Sequence, residues 1–311
     1  MNFKEARLVF MGTPDISASL LTALIEEGFN VVGLVAQPDT IKGRGGSVEE
    51  VATKKVARAH GIKVWQPASL RREHEFINAV AADLIVTLAY GQIVPDEVLA
   101  WPHRGALNVH GSLLPKLRGA APMQYALMQG LETTGFTLME MIDRLDAGKM
   151  YAKRELQIDK DDDYGRLHAK MSALIVTEVP ALLKKFLDGK LIGIPQNDQE
   201  ATFAYSIKPA QEHLDVNLDA ISFTNYVRAL APTPGGYLLH GDTRIKILKT
   251  TPVAMAEINE PGRIVIDGGC LMLDVASGRV NIDLLQLPGK RPVAARDYLN
   301  GHRDIHGTFW Q

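Results

Sequence analysis

The chain has 311 residues, of which 46% are hydrophobic, and it sets 34 Lys+Arg against 36 Asp+Glu for a formal net charge of -2. That length and apolar content suit two folded domains, each with its own core. The near cancellation of charge excludes bulk attraction to a polyanion or a membrane surface, so any such partner must meet a local patch. With Cys270 as its one cysteine, the chain cannot form an intramolecular disulfide and is poorly equipped for a zinc site. Cys270 reads as a small buried residue.

In chain order, Glu5 and Arg7 fall where a signal peptide needs its apolar core, and no later run approaches the ~18 apolar residues of a membrane span. A cytoplasmic protein without a membrane segment is therefore expected. Residues 7–11 (RLVFM) form an apolar run closed by Gly12, Thr13 and Pro14. Ile16, Leu20, Leu21, Leu24 and Ile25 then recur at helical spacing, which predicts strand, turn and helix, the helix start capped by Thr13. The alternation continues with strands at 31–36, 63–67, 83–90, 106–110 and 134–141. Helices are predicted over about 48–60, 71–81 and 121–129. Apolar strands separated by helices imply an α/β, Rossmann-like, doubly wound and mostly parallel sheet. Such a sheet opens its ligand crevice at the carboxyl ends of its strands, so the residues after Tyr90, His110 and Met141 come first for chemistry.

A helix from about 164 to 187 ends at Asp188-Gly189. The mixed polar stretch that follows reads as a linker, giving a catalytic domain over 1–189, a linker over 190–207 and a second domain over 208–311. In the last, short β-like runs punctuated by Gly, Pro, Asp and Asn predict a small, OB-like β-barrel. Its acidic and basic residues are equal in number. Arg244, Lys246 and Lys249 nonetheless cluster on one predicted strand and Lys290, Arg291 and Arg296 near the end, to contact phosphates or to serve as solvated edge charges.

The densest chemical signal is ALNVHGSLLPKLRGAAP, residues 106–122. Asn108 and His110 lie two apart at a strand end, so both side chains fall on one side of the strand. Ser112, Leu113, Leu114 and Pro115, followed by Gly119, predict a fixed loop that offers backbone groups and leucines to a planar ligand. Asp146 lies just past the strand 134–141. Each of these also has a bland explanation, as a turn cap, a satisfied core histidine or a turn residue. GTPD at 12–15 lacks the GxGxxG of a nucleotide-binding turn, and the acidic run 159–163 lacks the ligand pattern of a calcium loop.

NVHGSLLPKLRGAAP, with Asp146 at the matching spacing, resembles the signature of the folate-dependent formyltransferases. The resemblance implies 10-formyltetrahydrofolate as donor, no metal, and a catalytic triad of Asn108, His110 and Asp146. Ser112, Leu113, Leu114, Pro115, Tyr90 and Gly91 are then the expected folate contacts. The roles fit the chemistry. Amine attack on the formyl carbonyl makes an oxyanion to which the Asn108 amide and a protonated His110 donate. Asp146 orients the imidazole and favours its charged form, and Asp146 or a water accepts the proton that the amine loses.

MGTPDIS, QPDTIKGRGG, VTLAYGQIVPDEVL, GAAPMQYAL and QLPGKRPVAARDYLNGH further resemble the methionyl-tRNA formyltransferases nearly end to end. This implies initiator methionyl-tRNA as acceptor and N-formylmethionyl-tRNA, for translation initiation, as product. Arg44 and Lys42 in the loop after QPD, with Lys246 and Lys249 in the barrel, are the expected tRNA contacts, and a monomer is expected. The sequence departs from the family pattern at Gly46, Ser47, Leu117, Lys149 and Thr233, none of them catalytic. Two alternatives stay open: a formyltransferase acting on an amino sugar nucleotide, and a non-catalytic RNA-binding protein built on a decayed enzyme domain.

Overall fold

The computed structural model describes residues 2–42, 47–253 and 260–311; Arg44 lies outside them. In chain order the elements are β1 (Arg7–Gly12), α1 (Asp15–Glu26), β2 (Asn30–Val35), β3 (Thr40–Lys42), β4 (Ser47–Glu49), α2 (Ala52–Ala59), β5 (Val64–Trp65), β6 (Leu84–Leu88), α3 (Asp96–Leu99), β7 (Ala106–His110), α4 (Pro122–Met128), β8 (Thr133–Glu140), β9 (Met150–Gln157) and α5 (Tyr164–Leu187). There follow α6 (Ala220–Leu230), β10 (Gly236–His240), β11 (Thr243–Val253), β12 (Ile264–Asp267), β13 (Cys270–Val275), β14 (Gly278–Gln286), β15 (Val293–Ala294) and α7 (Ala295–Tyr298). They fall into two compact units. The first comprises Met1–Gly119, Gly135–Leu156 and Lys170–Phe203, and the second Ala120–Thr134, Gln157–Ala169 and Ala204–Gln311.

The first unit is built on a seven-stranded sheet ordered β5-β2-β1-β6-β7-β8-β9. β5, β2, β1, β6 and β7 pair in parallel, and β8 returns antiparallel to β7. β6 is buried at every position and β1 from Leu8 to Gly12, because helices cover both faces and a central parallel strand must be apolar throughout. The chain winds outward from β1 through β2 to β5, then restarts at β6 on the other side of β1 and continues to β7. That reversal creates the crevice expected of a doubly wound sheet.

The second unit holds a six-stranded antiparallel sheet, β10-β11-β14-β13-β12 with β15 on β14, in keeping with the small β-domain expected. Its core includes Phe223, Val227 and Leu230 of α6, strand residues such as Ile247 and Leu273, and Trp310. Asp219 caps α6 by accepting from the N–H groups of Ile221 and Ser222, both at 2.9 Å. α4 packs against α6 within this unit.

Several local expectations change. The helix expected over 71–81 is one short 3-10 turn, Glu75–Asn78, in which Phe76 alone is buried; with a single anchor, helical periodicity has nothing to bury. The helix expected from 48 begins at Ala52, because Ser47–Glu49 pairs with Thr40–Lys42 as a hairpin. β9 and α6 were not anticipated. β9 alternates half-buried and exposed residues in the manner of an edge strand. Thr13 is no helix cap: Pro14 occupies that position. Cys270 is exposed rather than buried, because it opens β13 directly after the Gly268-Gly269 turn. Among the described residues no helix is long and apolar enough to cross a membrane.

At the end of the sheet away from the crevice, Asp83 accepts from the backbone N–H of Arg7 at 2.8 Å and from its guanidinium at 2.9 and 3.0 Å. These bonds hold the Asp83 carboxyl down at about 2, against a free value of 3.8. The carboxylate therefore stabilises the fold above about pH 4, and that contribution is lost as pH falls from about 4 to about 2. Asp83→Asn is expected to lower the denaturation midpoint at neutral pH and to flatten its fall between pH 4 and 2. Denaturant titrations at stepped pH measure both, and an unchanged acid limb would count against the latch.

Candidate active site

The sheet fastens its own crevice. Gly12, at the end of β1, lies so near β6 that a Cβ there would sit 2.7 Å from the Leu88 carbonyl, a contact only glycine avoids. One residue on, the Thr13 hydroxyl donates to the Tyr90 carbonyl at 3.2 Å and accepts from the Gln37 N–H at 3.2 Å. The Gln37 side chain donates to the same Tyr90 carbonyl at 3.1 Å. The ends of β1, β2 and β6 are thereby tied together where strand order reverses.

β7 lies next to β6, with Asn108 opposite Thr87 on one side and Met139 of β8 on the other. Asn108 is half-buried and His110 buried. Among the described residues the Asn108 side chain has no hydrogen-bond partner, so its amide is available to a ligand. His110 is held at both nitrogens. Its Nε2 lies 2.9 Å from the Leu117 carbonyl. A carbonyl only accepts, so Nε2 carries hydrogen. Its Nδ1 lies 3.5 Å from Asp146 Oδ2, an ion-pair contact longer than a short hydrogen bond. The same Oδ2 accepts from the Gly119 N–H at 2.8 Å. Asn108 and His110 thus stand toward the carboxyl end of β7, and Asp146 reaches His110 from the loop after β8; because β8 runs antiparallel to β7 it ends beside Leu107, so the residues directly after Met141 do not lie at the crevice end as a parallel strand would have placed them.

The loop that follows β7 is fixed largely by its own backbone. Ser112 Oγ donates to the Lys116 carbonyl at 2.6 Å. Thr137 of β8 donates to the Ser112 carbonyl at 2.7 Å and accepts from the Leu114 N–H at 3.1 Å. The Leu114–Pro115 peptide is cis. Gly135, also on β8, leaves the space that Leu113 fills: a Cβ there would lie 2.8 Å from Leu113 Cδ2 and 1.9 Å from the Arg154 carbonyl. Ser112, Leu114 and Pro115 point inward, and Leu113 stays half-exposed.

The other expected contacts are placed unevenly. Tyr90 is buried in the same apolar cluster as Val9, Val35 and Phe76, and burial raises the pKa of its phenol. What Tyr90 offers the crevice is backbone, next to the exposed Ala89 and Gly91. Lys42 belongs to β3. On β11, Lys249 is exposed, whereas Lys246 donates its ammonium to the Pro234 carbonyl at 2.6 Å. Among the described residues no cluster of His, Cys, Asp or Glu could hold a metal ion.

Sequence reasoning missed the residues that hold the three together: the Leu117 carbonyl, the Gly119 N–H and Thr137. Leu117 (φ 59) and Asp146 (φ 47) are left-handed without being glycine, a conformation that marks imposed geometry; aspartate tolerates it, which suits a turn reading of Asp146, whereas a leucine gives no sequence signal of it.

Compared with known proteins, the family described as Formyl transferase matches residues 6–181, and the Formyl transferase, C-terminal domain, matches residues 206–303. The methionyl-tRNA formyltransferase of Bacillus mycoides is 41% identical over 311 residues, covering 97% of this chain and 98% of its own. That of Caldanaerobacter subterraneus is 39% identical over 306 residues, covering 97% and 99%. Among solved structures, an N-formyltransferase from Helicobacter canadensis, in complex with folinic acid and dTDP-3-aminofucose, superposes with a TM-score of 0.67 at 16% identity, covering 89% of this chain and 98% of that one. The last likeness is one of fold.

Thr137→Val keeps the shape of the side chain and leaves the Ser112 carbonyl and Leu114 N–H without partners. The expected cost is about 1–3 kcal/mol for each buried group left unpaired, with faster amide hydrogen exchange across residues 110–119. Exchange at the wild-type rate would show that the loop is held by other means.

Proposed function

The chain belongs to the formyl transferase family, and from that premise we propose that Asn108, His110 and Asp146 transfer the formyl group of 10-formyltetrahydrofolate to the amino group of methionyl initiator tRNA. The product is N-formylmethionyl-tRNA, used in translation initiation. The observation that carries the catalytic assignment is the constellation itself: a free amide, an imidazole held at both nitrogens and a carboxylate, gathered at the end of a central strand. The acceptor rests on identity near 40% to methionyl-tRNA formyltransferases over 97% of the chain.

Nε2 of His110 is already occupied by Leu117, so Nδ1 is the nitrogen that serves the reaction. When the amine attacks the formyl carbon, the carbonyl electron pair moves to oxygen. The Asn108 amide and a protonated Nδ1 of His110 donate to that oxygen. Asp146, or a water beside it, takes the proton that the amine loses. As the carbonyl re-forms, the bond to N10 of the folate breaks and that nitrogen takes up the proton that the amine gave to Asp146 or the water. The half-exposed Leu113 and the backbone of residues 89–91 supply the folate surface, with Ser112, Leu114 and Pro115 fixing the loop behind it. Residues 1–189 carry the reacting groups and 208–311 hold tRNA; the joining stretch 190–207 belongs as far as Phe203 with the first unit and bonds to its site loops through Gln196 and Thr202. Arg44, Lys42 and Lys249 meet phosphate or base, and Lys246 joins them by releasing Pro234. The enzyme works as a cytoplasmic monomer.

Transfer of labelled formyl from 10-formyltetrahydrofolate to methionyl initiator tRNA tests the proposal, with methionyl elongator tRNA and an amino sugar nucleotide as parallel acceptors. Transfer to the initiator alone is expected; transfer to the sugar alone would overturn the acceptor. Asn108→Ala and His110→Ala should each lower turnover by about 100-fold or more with tRNA affinity nearly unchanged. Arg44→Ala should weaken the tRNA step and leave a small amine acceptor unaffected.

A further inference from the structure

We propose that Gln196, oriented by the buried Arg118, is a positioning residue for this reaction: it holds Asp146 in the backbone conformation that keeps its carboxylate on His110. The inference rests on the catalytic roles proposed above.

Arg118 is only 3% exposed, and a buried guanidinium must find acceptors. Its Nε and Nη2 donate to Gln196 Oε1 at 3.1 and 2.8 Å, and Nη2 also donates to Asp198 Oδ1 at 2.8 Å. With Oε1 facing a cation, the amide has only one orientation, and its NH2 group must turn the other way. There Nε2 donates to the carbonyls of Asp146 and Gly148 at 2.7 and 2.8 Å. Asp146 is thus held twice, through its backbone by Gln196 and through its side chain by the Gly119 N–H. The two ties hold it left-handed, at φ 47, a conformation that aspartate reaches more readily than most residues but leaves for negative φ when nothing fixes it.

The same segment governs the other side of the imidazole. Thr202 Oγ1 accepts from the Leu117 N–H at 2.9 Å, and the Thr202 carbonyl accepts from the Arg118 N–H at 2.8 Å. Leu117 is the second left-handed residue, and its carbonyl receives His110 Nε2. Both groups that set the imidazole are therefore anchored to residues 196–202. Without Gln196, Asp146 relaxes toward negative φ, its carboxylate leaves Nδ1, and the ring loses the partner that answers its protonation.

Gln196→Glu separates this role from simple support of Arg118. It keeps an oxygen for the guanidinium but turns a carboxylate oxygen toward the Asp146 and Gly148 carbonyls. In the full-length protein, Gln196→Glu and Gln196→Ala should each lower kcat about 10- to 100-fold. KM for the formyl donor should stay within about threefold, and the pH profile of kcat should change. Nitrogen-15 spectra of His110 should show Nε2–H in the wild type, with the Nδ1 signal altered in both variants as Asp146 leaves it. Wild-type kcat, pH profile and ring signals in Gln196→Glu would overturn the proposal, as would an inactive alanine variant beside a fully active glutamate one. If Gln196→Ala does not fold, Gln196→Glu decides alone, because it retains the partner of Arg118. If the wild-type chain transfers no formyl group, the function proposed above fails, while the ring signals still decide whether Gln196 positions Asp146.

Discussion

A backbone carbonyl can only accept a hydrogen bond, and the Leu117 carbonyl lies 2.9 Å from Nε2 of His110. That contact decides which nitrogen carries the fixed proton, leaving Nδ1 to face Asp146. It also explains the shape of the surrounding loop. For its carbonyl to reach the ring, Leu117 must adopt φ 59, and a leucine stays there only when neighbouring bonds over-determine it. Those bonds come from Thr202 on one side and the Ser112–Thr137–Leu114 bridge on the other.

The sheet supplies the rigid frame that such a loop needs. β7 lies inside the sheet, bonded to β6 and β8, so the direction of Asn108 and His110 is set by two ladders rather than by a mobile segment. The bonds among Thr13, Gln37 and Tyr90 close the strand ends beside it. Pre-organisation of this kind suits a reaction in which amide and imidazole donors must already face the position where negative charge develops. Strain then collects in the loops, at Ala89, Leu117 and Asp146.

Charge is arranged with the same economy. Arg118 is buried with one amide and one carboxylate, and the second oxygen of Asp198 accepts from Arg144. The carboxylate of Asp198 is about half exposed, so the pair keeps contact with water and avoids much of the cost of a fully buried ion pair. The side of Gln196 turned toward Asp146 carries only neutral donors, which leaves Asp146 as the anion beside His110. In the second unit the Asp274–Arg279 pair, cross-strand neighbours on β13 and β14, is more deeply enclosed.

Much of this protein was legible in its sequence. Apolar runs and helical spacing placed β1, β2, β6, β7 and α5 and implied a doubly wound sheet, since a strand buried on both faces has to be apolar throughout. Period-2 geometry put Asn108 and His110 on one side of a strand, and the motif around them carried the family. Where periodicity was short or half-exposed it misled, as at 71–81 and in the unanticipated β9, and residue type alone misplaced Cys270, which opens β13 directly after a turn. By itself, then, the sequence determined the layered architecture, the family and the chemical groups of the site, because these follow from residue type and spacing. Only the tertiary structure decided which nitrogen of His110 meets the Leu117 carbonyl and which faces Asp146, and that Gln196, Thr202 and the Gly119 N–H hold the arrangement, because those bonds join backbone groups and residues up to 85 positions apart, and backbone groups are the same in every sequence.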